Sequence, residues 1–343
     1  MAILVTGGSG YVGLNVVEAL ARAGREVVSF DMTLPPPVAA VELSSLPGRV
    51  HPVDGDLLDA GALDRAFNAA PIEAVIHTAA VTSGPAREAV EPQRVFQVNV
   101  LGTIGVLEAA RRASVRRVVI TSSGAAYGES LYRPGLMQED ATPVLPTTLY
   151  ATTKYAAERT ARRLADLWQM EVACTRLGTL IGPWERDGAS HAHGVRDNFG
   201  PHSQLARIAV AGGEAVLPPD ECTRDWVYAP DVGRALALLA DAPALLHGVY
   251  NLGAGIDWTG DIAAWCEVLA ARFPGFSHRS ARPGETPNVH YTDKARSLMA
   301  VDRFEADHGF VATRDRAAIH RAFADWVERV GRAWHAAGPA AAR

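Results

Sequence analysis

Ile3-Leu4-Val5-Thr6-Gly7-Gly8-Ser9-Gly10-Tyr11-Val12-Gly13 carries a short apolar run into a glycine-rich turn. A run with no polar alternation suits a strand buried on both faces. From Tyr11 to Ala23 the apolar residues fall at helical spacing, with Val12, Val16 and Leu20 on one face, and Gly24 closes the segment. Glu26 to Phe30 reads as a second strand, and Asp31 stands at its end, 18 residues after Gly13. Strand, glycine turn, helix and strand make the unit that binds a dinucleotide. Gly7, Gly10 and Gly13 let the backbone approach a pyrophosphate. The helix start at Tyr11 and Val12 offers unpaired N–H groups and a positive dipole end. Asp31 can accept hydrogen bonds from the adenosine ribose hydroxyls and repels a 2′-phosphate. No basic residue occurs from Met32 to Ala40, so NAD is expected over NADP.

The same alternation continues along the chain. Leu34-Pro35-Pro36-Pro37 reads as a loop. Val50 to Val53 is a third strand, followed by Gly55-Asp56-Leu57 and a helix from about Ala60 to Ala70. A fourth strand, Ala74 to Thr78, ends in Ala79 and Ala80, whose small side chains leave room for a ligand. A helix from about Gln93 to Ala113 carries Asn99. A fifth strand, Arg117 to Thr121, ends in Ser122-Ser123-Gly124. A helix from Tyr150 to about Gln169 and a sixth strand, Val172 to Leu177, complete the pattern. This is an α/β chain with a doubly wound parallel sheet. Residues 1–177 are expected to form the NAD-binding part. Residues 178–335 are expected to form a smaller α/β lobe, interleaved with the first and capping its strands, and residues 336–343 a tail. Ile181 to Ser203 reads as a long polar loop.

Tyr150-Ala151-Thr152-Thr153-Lys154 carries the chemistry. Residues four apart on a helix share a face, so an ammonium lies near a phenol. The cation favours phenolate and should lower the tyrosine pKa, letting the phenol exchange a proton with a substrate hydroxyl. The chain holds only two lysines, Lys154 and Lys294, against many arginines. An arginine, forked and permanently charged, would be a poor substitute at this position.

Composition narrows the function. The 343 residues are 48% hydrophobic and 21% charged, ordinary values for a soluble globular protein. A net charge of −5 argues against nucleic acid and anionic membranes as partners. Cys174, Cys222 and Cys266 are scattered, which suits a reducing cytoplasm and excludes a thiolate metal site. No apolar run reaches the 18 or so residues of a membrane span, and no signal peptide is read.

Taken in order, Thr6 to Gly13, Ser122-Ser123-Gly124-Ala125-Ala126-Tyr127-Gly128, Tyr150-x-x-x-Lys154, Arg176…Gly182-Pro183 and Arg224-Asp225-Trp226-Val227-Tyr228…Asp231-Val232 form a known series. In these motifs the chain resembles the extended short-chain dehydrogenase/reductase family, the NAD-dependent epimerase/dehydratase group. The resemblance implies Tyr150 as acid/base, Lys154 as its tuner and ribose anchor, and Ser123 as the partner of the reacting oxygen. It implies adenine contacts at Asp56 and Leu57, a cofactor groove at Ala79 and Ala80, support of the active-site helix by Asn99, and Leu177 beside the nicotinamide. Substrate-side candidates are Thr82, Ser123, Gly124, Thr179, His193, Asn198, Arg224 and Arg282. Gly124 and Ala125 stand where dehydratases of the family carry an Asp-Glu pair, which argues against dehydration. No cysteine matches the Cys-His pair of the family's epimerase–reductases.

The implied activity is an NAD-dependent dehydrogenase acting on a secondary alcohol of a sugar, sugar acid or related polyol. The alternative is a UDP-sugar epimerase without net redox. A catalytically silent NAD-sensing protein is a third reading, weighed against by Ser123, Tyr150 and Lys154. The match to a nucleotide handle is divided. Asn198-Phe199 is a loose match, and Val216 to Thr223 lacks the family's glycines. Arg224 and Arg282 suit either a diphosphate or a carboxylate. The resemblance also implies a homodimer through the helices near Gln93 and Tyr150. His191, His193 and His202 suit solvent exposure or a substrate contact better than a metal, and no metal site is expected. Trp184 reads as a loop anchor rather than a stacking platform. Arg111, Arg112, Arg116 and Arg117 read as a solvated helix end.

Overall fold

The computed structural model describes residues 1–185, 200–221, 224–291 and 294–336. Its strands are β1 (Ala2–Thr6), β2 (Glu26–Asp31), β3 (Arg49–Asp54), β4 (Ile72–His77), β5 (Arg117–Ser123), β6 (Glu171–Leu177), β7 (Thr179–Ile181), β8 (Glu214–Leu217), β9 (Trp226–Tyr228), β10 (Val249–Leu252) and β11 (Ser277–Ser280). Seven of them make a parallel sheet in the order β10-β6-β5-β4-β1-β2-β3. From β1 the chain builds outward through β2 and β3, then returns to the other side of β1 with β4. The crevice between β1 and β4 is therefore a topological switch point, the place where open α/β sheets bind ligands. β7 pairs with β9, and β8 with β11, as two small parallel ladders.

Alternate residues of β1 serve opposite faces. Ile3 and Val5 join one core cluster, Ala2 and Leu4 the other. The first face is covered by α1 (Tyr11–Arg22), through Val16, Val17 and Leu20. Next along the chain are α2 (Pro37–Ser44), α3 (Ala60–Asn68), α4 (Pro85–Val90), α5 (Pro92–Phe96) and α6 (Gly102–Arg112). α3, α6 and the long α7 (Leu149–Trp168) cover the second face. The remaining helices are α8 (Pro201–Ala211), α9 (Ala229–Asp241), α10 (Asp261–Arg272), α11 (Asp302–His308) and α12 (Arg316–Trp326), then a π turn and α13 (Arg332–Ala336). α9 returns to the first face beside α1. A Cβ on Gly233 would lie 2.3 Å from the Asn15 carbonyl oxygen, so the two helix backbones touch.

Several expectations change. The proline run does not exclude a helix, because α2 begins on Pro37, where a missing N–H costs nothing. The expected helix from Gln93 contains a π turn, Gln97–Leu101, that carries Asn99. Arg117 is not a solvated helix end: it pairs with Glu171 at 2.7 Å and donates to the Ala240 carbonyl. Trp184 is an anchor. Its φ of 73° is left-handed, its indole donates to Glu18 at 2.6 Å, and its ring meets Trp326 and Trp334 edge-on at 5.2 and 5.0 Å. His191, His193 and Asn198, with most of the expected loop, lie outside the described residues, as do Cys222 and residues 337–343.

Candidate active site

The glycine turn lies at the mouth of the switch-point crevice. Gly7 has a φ of +71°, and a Cβ there would sit 2.6 Å from the Ala79 nitrogen, so the two chain segments are in backbone contact. A Cβ on Gly13 would meet the Gly7 oxygen at 1.9 Å. Helix α1 thus presses directly on the turn. Its N-cap is Gly10, which supplies no side-chain cap, and its first turn holds no acid. The leading amides at Tyr11 and Val12 are left for an anion. Asp31, at the end of β2, accepts the Ser9 amide at 3.0 Å and so fastens the turn. Asp56 accepts the Leu58 amide at 2.9 Å and an Arg94 N–H at 3.1 Å, while Arg94 also approaches Met32. Leu57 is buried against Gly102. Arg94 carries no sequence signal, since it comes from a helix far from the motif. Cradle, uncapped helix and terminal acid fit a dinucleotide, with the diphosphate at the turn and adenosine between Asp31 and Asp56.

The reacting groups converge at the carboxyl end of β5. Tyr150 is the second residue of α7, whose N-cap Thr148 accepts the Ala151 amide at 3.1 Å. Glu88 accepts the Tyr150 amide at 2.9 Å. The Tyr150 phenol shares hydrogen bonds with the hydroxyls of Ser123 and Thr82. Ser123, Thr82 and Tyr150, far apart in sequence, are therefore brought to one point. Ser123 ends β5 and lies in register with Leu177 at the end of β6. Gly124 is wedged behind it, since a Cβ would lie 3.1 Å from the Leu177 oxygen.

Three buried clamps hold α7. Asn99 accepts the Val81 amide at 2.7 Å, donates to the Val81 carbonyl at 3.0 Å, and donates to the Thr153 hydroxyl at 3.0 Å. It ties the segment after Ala79-Ala80 to the residue beside Lys154. Thr153 in turn donates to the Tyr150 carbonyl at 2.9 Å. One turn beyond Lys154, Glu158 accepts a two-pronged ion pair from Arg176 at 2.6 and 3.0 Å, and the Ser122 hydroxyl at 3.0 Å.

The electrostatics reverse the sequence expectation. Burial raises the Tyr150 phenol above its usual range, and the Ser123 and Thr82 hydrogen bonds only oppose that rise. Lys154 is itself buried, which lowers its ammonium to about 8 although Cys174 and Glu158 act the other way. A desolvated ammonium near its own pKa is a weaker neighbour than the spacing suggested.

On the substrate side, a cavity of about 170 Å³ begins at Thr179 and is walled by Glu221, Arg224, Trp226, Ile262 and Arg296. Thr179 and Arg224 lie where expected. Arg282 does not: it is exposed, its amide is bonded to Glu285, and it is not part of the cavity wall. Arg296 occupies the wall instead, a residue outside every motif. Burial raises the Glu221 carboxyl, and the Ile262 amide bonds it. Behind this wall His202 contacts Asp261 at 2.6 Å, and His320 and the Arg316 Nε each lie 3.1 Å from its other oxygen. Burial alone would raise Asp261, but His202 and His320 hold it well below the usual range. The Arg316 guanidinium already balances this carboxylate. A larger hollow of about 560 Å³ lies at the opposite, amino ends of the strands. Its charges are mutually paired, Arg25 with Glu73 and Asp241, and Arg117 with Glu171.

Fold and site together define an NAD-dependent enzyme of the extended short-chain dehydrogenase/reductase type. The chain belongs to the NAD dependent epimerase/dehydratase family, whose model matches residues 3–253. It is 27% identical to a UDP-glucose 4-epimerase of Azospirillum brasilense, across 92% of this chain and 88% of the relative. Among solved structures it is similar to a Thermus thermophilus UDP-glucose 4-epimerase complex with NAD, at TM-score 0.72 and 28% identity, covering 96% of this chain and 99% of the other. MoeE5 in complex with UDP-glucose and NAD is similar at TM-score 0.72 and 27% identity, with the same coverage. Among the described residues no helix is long and apolar enough to cross a membrane.

Proposed function

We propose that this protein is a UDP-sugar 4-epimerase. The observation that carries the reading is the meeting of Tyr150, Ser123 and Thr82 at one point beside the switch-point crevice. The curated relatives, named as UDP-glucose 4-epimerases, supply the substrate class. Bound NAD would supply a hydride acceptor that also returns the hydride. The chain's own residues do the rest. Ser123 and Thr82 hold the substrate oxygen by hydrogen bonds. Tyr150 accepts its proton as the carbon is oxidised and returns that proton once the ketone has turned its other face. Lys154 sits one turn away to relay charge and to anchor the cofactor ribose. Gly7, Gly10, Gly13, Asp31, Asp56 and Leu57 hold the dinucleotide, and Ala79, Ala80 and Leu177 leave room for it.

With UDP-glucose the NAD-loaded protein should form UDP-galactose without accumulating NADH. Tyr150→Phe should reduce turnover by about 10²- to 10⁴-fold while sparing NAD binding; a variant that turns over normally would remove Tyr150 from the chemistry. One observation favours a second reading, a dehydrogenase of a sugar acid. The Glu221 carboxylate beside Arg224 opposes a diphosphate, and Arg282 lies outside the cavity wall. NADH appearing in step with product would establish that reading in place of the first. A homodimer through α5, α7 and the π turn belongs to either reading. Phe96 and Leu101 there are exposed, 44% and 50%. A light-scattering mass of one chain would rule it out.

A further inference from the structure

We propose that Arg296 makes this site selective for a sugar that bears a carboxylate. This rests on the reading of the cavity as the sugar site. Arg296 is fixed rather than free to wander. The next residue, Ser297, donates its amide to the Leu131 carbonyl at 2.8 Å, and Met299 donates its amide to the Asp225 carboxylate at 2.9 Å. Asp225 also accepts the Ala254 and Gly255 amides at 2.8 and 3.0 Å. A single buried carboxylate therefore positions both guanidiniums: Arg224 is its chain neighbour, and Arg296 lies on the segment it holds. That segment reaches the reacting groups. The Met299 side chain lies 3.5 Å from where a Gly124 Cβ would stand, next to Ser123.

Charge decides what the cavity accepts. Its arginines and carboxylates are Arg224, Arg296 and Glu221, a net charge of one positive. The Arg296 Nε is buried and has no hydrogen-bond partner among the described residues. A buried, charged donor left unpaired is costly, and a planar carboxylate is the group that matches a guanidinium fork. One carboxylate neutralises the wall. A diphosphate would bring a second negative charge against Glu221, and a neutral sugar would leave one guanidinium without a counter-charge. Arg282 is the arginine that sequence comparison points to, yet Arg296 is the one the fold delivers to the cavity.

The test compares an acid with its neutral counterpart on the NAD-loaded enzyme, in two pairs: UDP-glucuronate against UDP-glucose, and glucuronate against glucose. The wild type should favour the acid in at least one pair. Arg296→Gln should lower the acid-to-neutral ratio of kcat/KM by about 10- to 100-fold, mostly through KM, and Arg296→Lys should restore part of it. A wild-type ratio near one in both pairs would overturn the proposal. So would an Arg296→Gln variant that loses acid and neutral activity equally, the result expected of a diphosphate contact or a merely structural residue. Turnover of the free pair alone would end the epimerase reading and still test Arg296. If neither pair turns over, calorimetric titration of the four compounds into the NAD-loaded protein replaces kinetics, and failure of both acids to bind overturns both ideas.

Discussion

At the scale of single residues, burial overrules spacing. The sequence places Tyr150 and Lys154 on one face, and that geometry holds. The inferred fall in the phenol's pKa does not, because a linear sequence carries no measure of desolvation. The same physics singles out Glu185, which no motif contains. Its carboxyl accepts the Gly200 amide at 2.8 Å and the Ser203 hydroxyl, yet burial raises it to about 7. Its charge in turn helps raise the Tyr11 phenol, already raised by burial, and Tyr228 also bears on that phenol. Between about 4.5 and 7 the folded protein keeps a proton that the unfolded chain has released. Stability must then fall as pH rises through that window and level off above it. The full shift corresponds to about 3 kcal/mol, and opposing relaxation leaves an expectation of about 1–3 kcal/mol. Glu185→Gln should therefore melt higher than the wild type at pH 8 and close to it at pH 4.5. Parallel melting curves at the two pH values would show that Glu185 does not titrate this way.

At the scale of elements, the glycine turn separates folding from binding. A Cβ on Gly13 would strike the Gly7 carbonyl oxygen at 1.9 Å, a backbone atom that cannot yield without moving α1. A Cβ on Gly10 would lie 3.2 Å from the same oxygen, and Gly10 has an ordinary φ of −82°. Gly13→Ala should destabilise the protein by about 1–3 kcal/mol through overpacking. Gly10→Ala should cost less than about 1 kcal/mol of stability, yet weaken NAD binding by crowding the helix N-terminus. Melting temperature and NAD affinity measured on both variants check this, and Gly10→Ala binding NAD at wild-type strength would move the diphosphate elsewhere. The turn, β1 to β6, and the helices α1, α3, α6 and α7 were legible because each has a periodic apolar pattern and a clear stop. The short ladders were not. β7 and β11 have three and four residues, too few to show a period, and β11 is largely exposed. Arg296 and Thr82 were illegible or weak for another reason: only the tertiary fold brings them to Arg224 and Tyr150.

At the scale of the molecule, the division at residue 177 separates roles rather than folding units, and a fragment should show it. β10 comes from the second half and completes the sheet beside β6, in register from Cys174 to Leu177. α9 also comes from the second half and lies against α1, close enough that only glycine fits at 233. The core cluster under these helices runs without a break from Ile3 and Val5 through Leu236 to Trp265 and Phe323, whose rings stack at 4.9 Å. Removing residues 178–343 would uncover Val16, Val17 and Leu20 of α1 and the outer face of β6. Exposing about six such side chains at roughly 1.5–3 kcal/mol each loses some 10 kcal/mol or more. That equals the entire stability of a typical domain, about 5–15 kcal/mol. Residues 1–177 should therefore not fold alone, even though they hold the whole glycine turn together with Ser123, Tyr150 and Lys154. A fragment of residues 1–177 expressed by itself should lack near-UV circular dichroism, melt without cooperativity, and fail to bind NAD. A cooperative melt accompanied by NAD binding would show that α9 and β10 are additions to a self-sufficient cofactor domain.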